Sequence, residues 1–219
     1  MNIATQLQQN NGTSLLDDRA IIFTKDCSNL ASIYEDQVSL CIWTPEQIEA
    51  TREYTYNLAI KGFQFKKVVS AENAFSSLSS LPEGLGQIET KQWIVELVEM
   101  YATLFGLEHV GVRIAGRTSP MCPRFHVDHV PTRLIHVLYG EGSDLFSDPQ
   151  YFRGKKYNES TLNHWIKRAE INDQPFVQQA PEGSVVIMKG TRWSENCHPV
   201  IHRSPKHDRS RLVITIDFV

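Results

Sequence analysis

Across residues 90–105 the apolar side chains Ile94, Leu97, Val98, Tyr101, Leu104 and Phe105 recur every three or four positions, and Gly106 follows. That period belongs to a helix with one buried face, and a glycine just past the last periodic residue is a common stop. An earlier helix start is written in Thr44-Pro45-Glu46-Gln47. Thr44 suits the N-cap, Pro45 the first helical position, and Gln47 the reciprocal partner of a capping box. The expectation is a helix running to about residue 60, with Gly62 as its stop. Short apolar runs at residues 21–23, 38–43 and 63–69 suit strands. Residues 70–86, rich in serine with Pro82 and two glycines, read as a linker, and the polar residues 1–19 as a loosely ordered lead-in.

From His109 onward the pattern changes to period two or to continuous apolar runs, at residues 110–114, 124–130, 134–139, 185–188 and 212–218. Helices first and strands later predict an α+β fold, with N-terminal helices packed outside a sheet. Residues 20–219 are expected to form a single domain, with a helical lead-in over about 44–106 and a β-rich core over about 109–219. Residues 141–173 interrupt the strands with polar sequence and one helical piece near 162–169. Such an insertion in a compact domain reads as a lid or binding loop.

Composition narrows the function classes. The chain has 219 residues, 41% of them hydrophobic, enough for a sizeable core. A net charge of −3 gives no bulk field for nucleic acid or an anionic membrane. The four cysteines, Cys27, Cys41, Cys122 and Cys197, include no Cys-x-x-Cys pair. Residues 1–11 are rich in Gln and Asn and do not read as a secretory signal. No apolar run approaches the ~20 residues of a membrane span. Free thiols in a reducing cytoplasm are the expectation. A phosphate-binding glycine loop and a Gly-x-Ser-x-Gly elbow are both missing from the sequence.

The chemistry concentrates in Cys122-Pro123-Arg124-Phe125-His126-Val127-Asp128-His129, read with His202 and Arg211. On extended chain, residues two apart share a face, so His126 and Asp128 point one way and Phe125 and Val127 the other. Two imidazoles and one carboxylate can occupy one face of an octahedral metal and leave the opposite positions open, as non-haem Fe(II) oxygen chemistry requires. Arg211 begins the strand-like run nine positions after His202. Its guanidinium suits a carboxylate held through two parallel hydrogen bonds, with Arg209 as the substitute if the register differs. A rival set, Cys122, His126, Cys197 and His202, would make a closed zinc site. His198, His129, His136, His164, His207 and His109 read as structural or exposed.

The 122–128 stretch, continued through Val130-Pro131-Thr132-Arg133-Leu134 to Gly140-Glu141-Gly142, and joined by residues 183–190 and Ile201-His202-Arg203-Ser204-Pro205, resembles a bacterial family known only as domain of unknown function eighteen-twenty-six. The resemblance runs from about residue 38 to the end of the chain. It implies no set reaction and keeps a metal-homeostasis role open. Separately, the order His126, Asp128, His202, Arg211 resembles that of the double-stranded β-helix oxygenases, the prolyl-hydroxylase type in particular. There the two His and the Asp bind iron and the Arg holds 2-oxoglutarate. Together these readings give a double-stranded β-helix, a cupin-like jelly roll. The function expected first is an Fe(II)/2-oxoglutarate-dependent oxygenase acting on a small molecule or a protein side chain. His126, Asp128 and His202 would be its metal and catalytic residues, and Arg211 its cosubstrate anchor. The alternatives are a non-catalytic protein holding Zn(II) in the same triad, and a cupin-type metalloenzyme that does not use 2-oxoglutarate.

Overall fold

The computed structural model describes residues 20–46, 49–153, 157–171, 176–206 and 209–219. Among the described residues there are ten strands: β1 (Ile21–Thr24), β2 (Leu40–Trp43), β3 (Gln64–Val69), β4 (Val110–Arg117), β5 (Thr132–Tyr139), β6 (Asp144–Phe146), β7 (Val177–Gln179), β8 (Val185–Lys189), β9 (His202–Arg203) and β10 (Arg211–Asp217). They form a seven-stranded sheet in the order β1-β2-β8-β5-β10-β4-β3 and a three-stranded sheet in the order β7-β6-β9. The helices are α1 (Arg52–Ile60), α2 (Ala74–Ser77), α3 (Gln87–Phe105), α4 (Pro149–Phe152) and α5 (Glu159–Ile171). None is long and apolar enough to cross a membrane.

Alternation along the strands sorts side chains into three apolar layers. Leu212, Ile214 and Ile216 of β10 join Leu134 of β5 and Val112 and Ile114 of β4 against Leu58 of α1 and Leu97, Val98 and Tyr101 of α3. The other face of the same strands gives Val213, Ile135 and Val137, which pack with Val186, Met188, Leu145 and Val200. A third cluster lies beyond the small sheet, where Phe146, Ile201 and Phe125 meet Tyr151 of α4 and Leu162 and Ala169 of α5. The mixed fold with its helices outside the large sheet therefore follows from period-two and period-3.6 patterns finding each other's apolar faces.

Two close contacts fix the helices on the sheet. Gly116 lies under α1, where an added Cβ would sit 2.5 Å from the Leu58 carbonyl oxygen and 2.8 Å from the Phe63 nitrogen. The buried Tyr101 hydroxyl donates to the Thr132 carbonyl at 3.0 Å, tying α3 to the start of β5. Gly86 and Gly106 bracket α3 with left-handed backbone, as the stop signal at Gly106 implied.

Several boundaries differ from those expected. Residues 44–46 are irregular, and a 3-10 turn, Glu49–Thr51, precedes α1. Thr44 N–H donates to the Thr24 carbonyl and so extends the β1–β2 pairing in place of capping a helix; Gln47 lies outside the described residues. The serine-rich segment 70–86 carries α2 and a 3-10 turn, because Ser70 and Asn73 bond reciprocally at its entry and bury Ala74, Leu78 and Leu81. Residues 124–130 make no strand beyond one bridge, His126 to His202. The carbonyls of Asp128, Val130 and Pro131 instead accept from the Thr191, Arg192 and Gly190 amides. The 141–173 insertion holds β6, α4 and a longer helix than expected. The expected loose lead-in, residues 1–19, lies outside the described residues.

His136 is a structural histidine on the helix side of β5. Its Nδ1 donates to the Ser184 carbonyl at 3.0 Å and its Nε2 accepts from Trp93 at 2.9 Å. Burial pushes its pKa down to about 4. The unfolded imidazole takes up a proton below about pH 6.5. Stability from this site is therefore whole above that pH and is lost as pH falls toward the folded value. Urea unfolding at neutral pH and near pH 5 should show an acid loss about 2 kcal/mol smaller in His136→Gln than in wild type. Equal losses would contradict the assignment.

Candidate metal centre

The loop carrying the His-x-Asp pair is held from behind. Phe125 and Val127 sink into the apolar cluster beneath α5, which turns His126 and Asp128 to the opposite side. The Phe125 amide donates to the Glu170 carboxylate of α5 at 2.6 Å, and the Arg203 guanidinium lies 4.2 Å from the Phe125 ring. His126 and His202 form one antiparallel rung, each amide donating to the other's carbonyl at 3.0 and 2.9 Å. That rung sets the two imidazoles side by side, with ring centroids 4.5 Å apart.

One ligand atom from each of His126, Asp128 and His202 falls within 4.8 Å of the others. The Nδ1 atoms of His126 and His202 donate to the carbonyls of Arg124 and Val200, at 3.0 and 3.1 Å. Each ring thus keeps its proton on Nδ1 and offers the Nε2 lone pair, the arrangement that orients metal-binding histidines. The Nε2 atoms lie 3.9 Å from Asp128 Oδ1 for His126 and 3.4 Å from Oδ2 for His202. Burial holds His202 well below the usual histidine range, against the pull of the Asp128 charge, so it stays a neutral donor.

Asp128 is 9% exposed, and its Oδ2 is buried without a hydrogen bond. A carboxylate oxygen in that state costs free energy unless a cation completes it. Its other oxygen accepts from Arg133 Nη1 at 2.7 Å, and Arg133 in turn grips Asp217 through Nε at 2.6 Å and Nη2 at 2.9 Å. Burial works against the Arg133 charge, but the bonds to Asp217 and the Asp128 charge outweigh it and raise its pKa. In an octahedral shell with ligands at about 2.1 Å, neighbouring donors stand about 3 Å apart. The donor atoms, within 4.8 Å of one another, would have to close by up to about 1.8 Å to reach that spacing. The set fits a divalent transition metal held on one face, with further positions open.

The other sequence candidates separate cleanly. Arg211 is 6% exposed, lies on the Val213 side of β10 facing the small sheet, and donates from Nε to the Glu141 carbonyl at 2.7 Å. Burial lowers its pKa to about 10, with Asp144 and Glu141 opposing. Arg209 is 70% exposed and pairs with the Glu141 carboxylate, so it does not substitute for Arg211. The closed zinc alternative fails on placement. Cys122 is exposed, the buried Cys197 thiol points to the Ser194 and Gly190 carbonyls, and neither joins the triad. His129 bonds Thr191, His198 packs on Tyr151, and His109 and His164 are exposed. His207 lies outside the described residues. Arg133 and Asp217 were not singled out from the sequence, because only the β5–β10 register sets them opposite each other.

Residues 24–217 match the family described as "Protein of unknown function (DUF1826)", and the chain belongs to that family. No curated protein matches it. Among solved structures it is similar to a dioxygenase for auxin oxidation from rice, at 10% identity over 91% of this chain and 82% of that one, with a TM-score of 0.49. It is also similar to dioxygenase for auxin oxidation 1 from Arabidopsis thaliana in a 2-oxoglutarate binary complex, at 8% identity over 91% of each chain and a TM-score of 0.43. A bsmA homologue from Methylobium petroleophilum gives 11% identity over 87% of this chain and 91% of that one, with a TM-score of 0.44.

Deleting a donor tests the centre. His126→Ala and Asp128→Ala should each lose bound Fe(II), Mn(II) or Zn(II) on gel filtration, read by elemental analysis, while Cys122→Ser keeps it. Loss of metal in Cys122→Ser alone would return the cysteines to the ligand set.

Proposed function

We propose that this protein is an Fe(II)/2-oxoglutarate-dependent oxygenase of the double-stranded β-helix class. The connectivity supports the fold reading. From β4 onward the chain crosses between the sheets: β4 in the large one, the His126 rung in the small one, then β5 large, β6 and β7 small, β8 large, β9 small and β10 large. The observation that carries the function is the donor set itself. Two imidazoles and one buried, underbonded carboxylate share a face, and no other His, Cys, Asp or Glu joins them among the described residues. A structural zinc site closes with four protein ligands, whereas a catalytic centre keeps positions open.

The roles of the side chains follow. His126, Asp128 and His202 hold the metal, which when bound supplies oxygen chemistry that no side chain offers. Arg133 fixes the Asp128 carboxylate in one orientation. Arg211, buried with Nη2 lacking a partner, takes the far carboxylate of 2-oxoglutarate. The apolar layer between the sheets, with Val213, Ile135 and Val137 beside the site strands, limits water in the interior.

Anaerobic addition of Fe(II) and 2-oxoglutarate should give a visible charge-transfer band that needs both components. In calorimetric titration of the Mn(II) form, Arg211→Ala should bind 2-oxoglutarate about 30-fold or more weakly while retaining metal. Tight Zn(II) binding with no band and no 2-oxoglutarate heat would replace this reading with the non-catalytic one.

A further inference from the structure

Arg211 does not face the space between the sheets alone. In the β10–β4 register it stands directly opposite Arg117, and opposed residues of an antiparallel pair project from the same face. Gly116 and Leu212, the next pair, face the helices, which leaves Arg117 and Arg211 on the side of the small sheet. Two like charges opposed across a ladder destabilise it, and burial strengthens their repulsion. Among the described residues no carboxylate forms an ion pair with either one, although the charges of Asp144 and Glu141 partly offset that of Arg211. Arg211 donates to the neutral Glu141 carbonyl, and the Glu141 carboxylate is taken by Arg209. Both guanidiniums keep a buried nitrogen without a hydrogen bond, Nε of Arg117 and Nη2 of Arg211.

We propose that Arg117 and Arg211 form a single two-arginine clamp for the carboxylate end of a short dicarboxylate. A carboxylate has about four acceptor positions, so it can take both orphaned N–H groups and neutralise the opposed charges at once. The assignment rests on the oxygenase reading for the identity of the natural ligand, 2-oxoglutarate. The clamp itself requires only an anion. Arg113, on the same face of β4 and opposite Thr215 and Lys66, adds positive field without belonging to the clamp.

Two titrations separate the claims. The Mn(II) form is titrated with 2-oxoglutarate, and the chelated protein is titrated with glutarate, which has the same far carboxylate and no oxo group for a metal. The clamp requires both ligands to bind wild type. Arg117→Gln should weaken each at least about tenfold, and the Arg117→Gln/Arg211→Gln double variant should fall short of the product of the single effects. Melting without ligand gives the second readout. Removing one of two opposed charges that no ion pair joins should leave the melting temperature of Arg117→Gln equal to or above wild type, whereas a merely structural arginine would lower it. Normal binding in Arg117→Gln with loss in Arg211→Ala overturns the clamp and leaves the oxygenase reading standing. An equal loss in Arg113→Ala overturns it in favour of a diffuse field. Failure of wild type to bind either ligand overturns both proposals.

Discussion

The ion bridge from Asp128 through Arg133 to Asp217 is the interaction on which the candidate centre depends. A metal-binding carboxylate on an irregular loop would swing between rotamers unless something rigid held it. Arg133 sits on β5 and Asp217 on β10, at opposed positions of the large sheet, so the loop carboxylate inherits the rigidity of the ladder. The same end of β5 is anchored from outside by the Tyr101 hydroxyl on Thr132. Breaking a largely buried charge network by removing one partner costs about 3 kcal/mol or more. Here the loss would fall on the geometry of the metal site before it reached the fold.

The bridge also explains a division of labour between the two oxygens of Asp128. Oδ1 is occupied by Arg133, and Oδ2 is buried and underbonded toward His202. One oxygen is thus held in position and the other is left open to a cation. The histidines show the same division at their own atoms, with Nδ1 fixed on a backbone carbonyl and Nε2 left for the metal. All three donors are oriented by bonds made on the side away from the site, so each is already turned toward the others before a metal binds.

What the sequence disclosed and what it hid divide along the same line. The α3 periodicity, its glycine stop, the strands of the large sheet and the opposite facing of His126 and Phe125 were all legible, because each depends on local period alone. The start of α1 was misplaced because the Thr44 amide is claimed by a hydrogen bond to the Thr24 carbonyl, a contact between segments that no capping rule can anticipate. Residues 124–130 looked like a strand because they alternate, yet their carbonyls turn to the 190–192 segment. The choice between Arg209 and Arg211 likewise needed tertiary context. Both are basic and two residues apart, but one pairs at the surface with Glu141 and the other begins a strand whose face is closed by the small sheet.

Register is what converts these scattered residues into a site. Arg133 meets Asp217, and Arg117 meets Arg211, only because β10 lies between β4 and β5 with a fixed alignment to each. A slip of one residue on β10 would send Arg211 and Asp217 toward the helices and bring Leu212 and Ile214 inward. The apolar residues Leu212, Ile214 and Ile216 forbid that slip by their burial against α1 and α3. The helices outside the sheet therefore specify the chemistry inside it. By holding β10 in one alignment they pair one end of the strand with the cation that steadies Asp128, and the other with a second arginine whose charge calls for an anion.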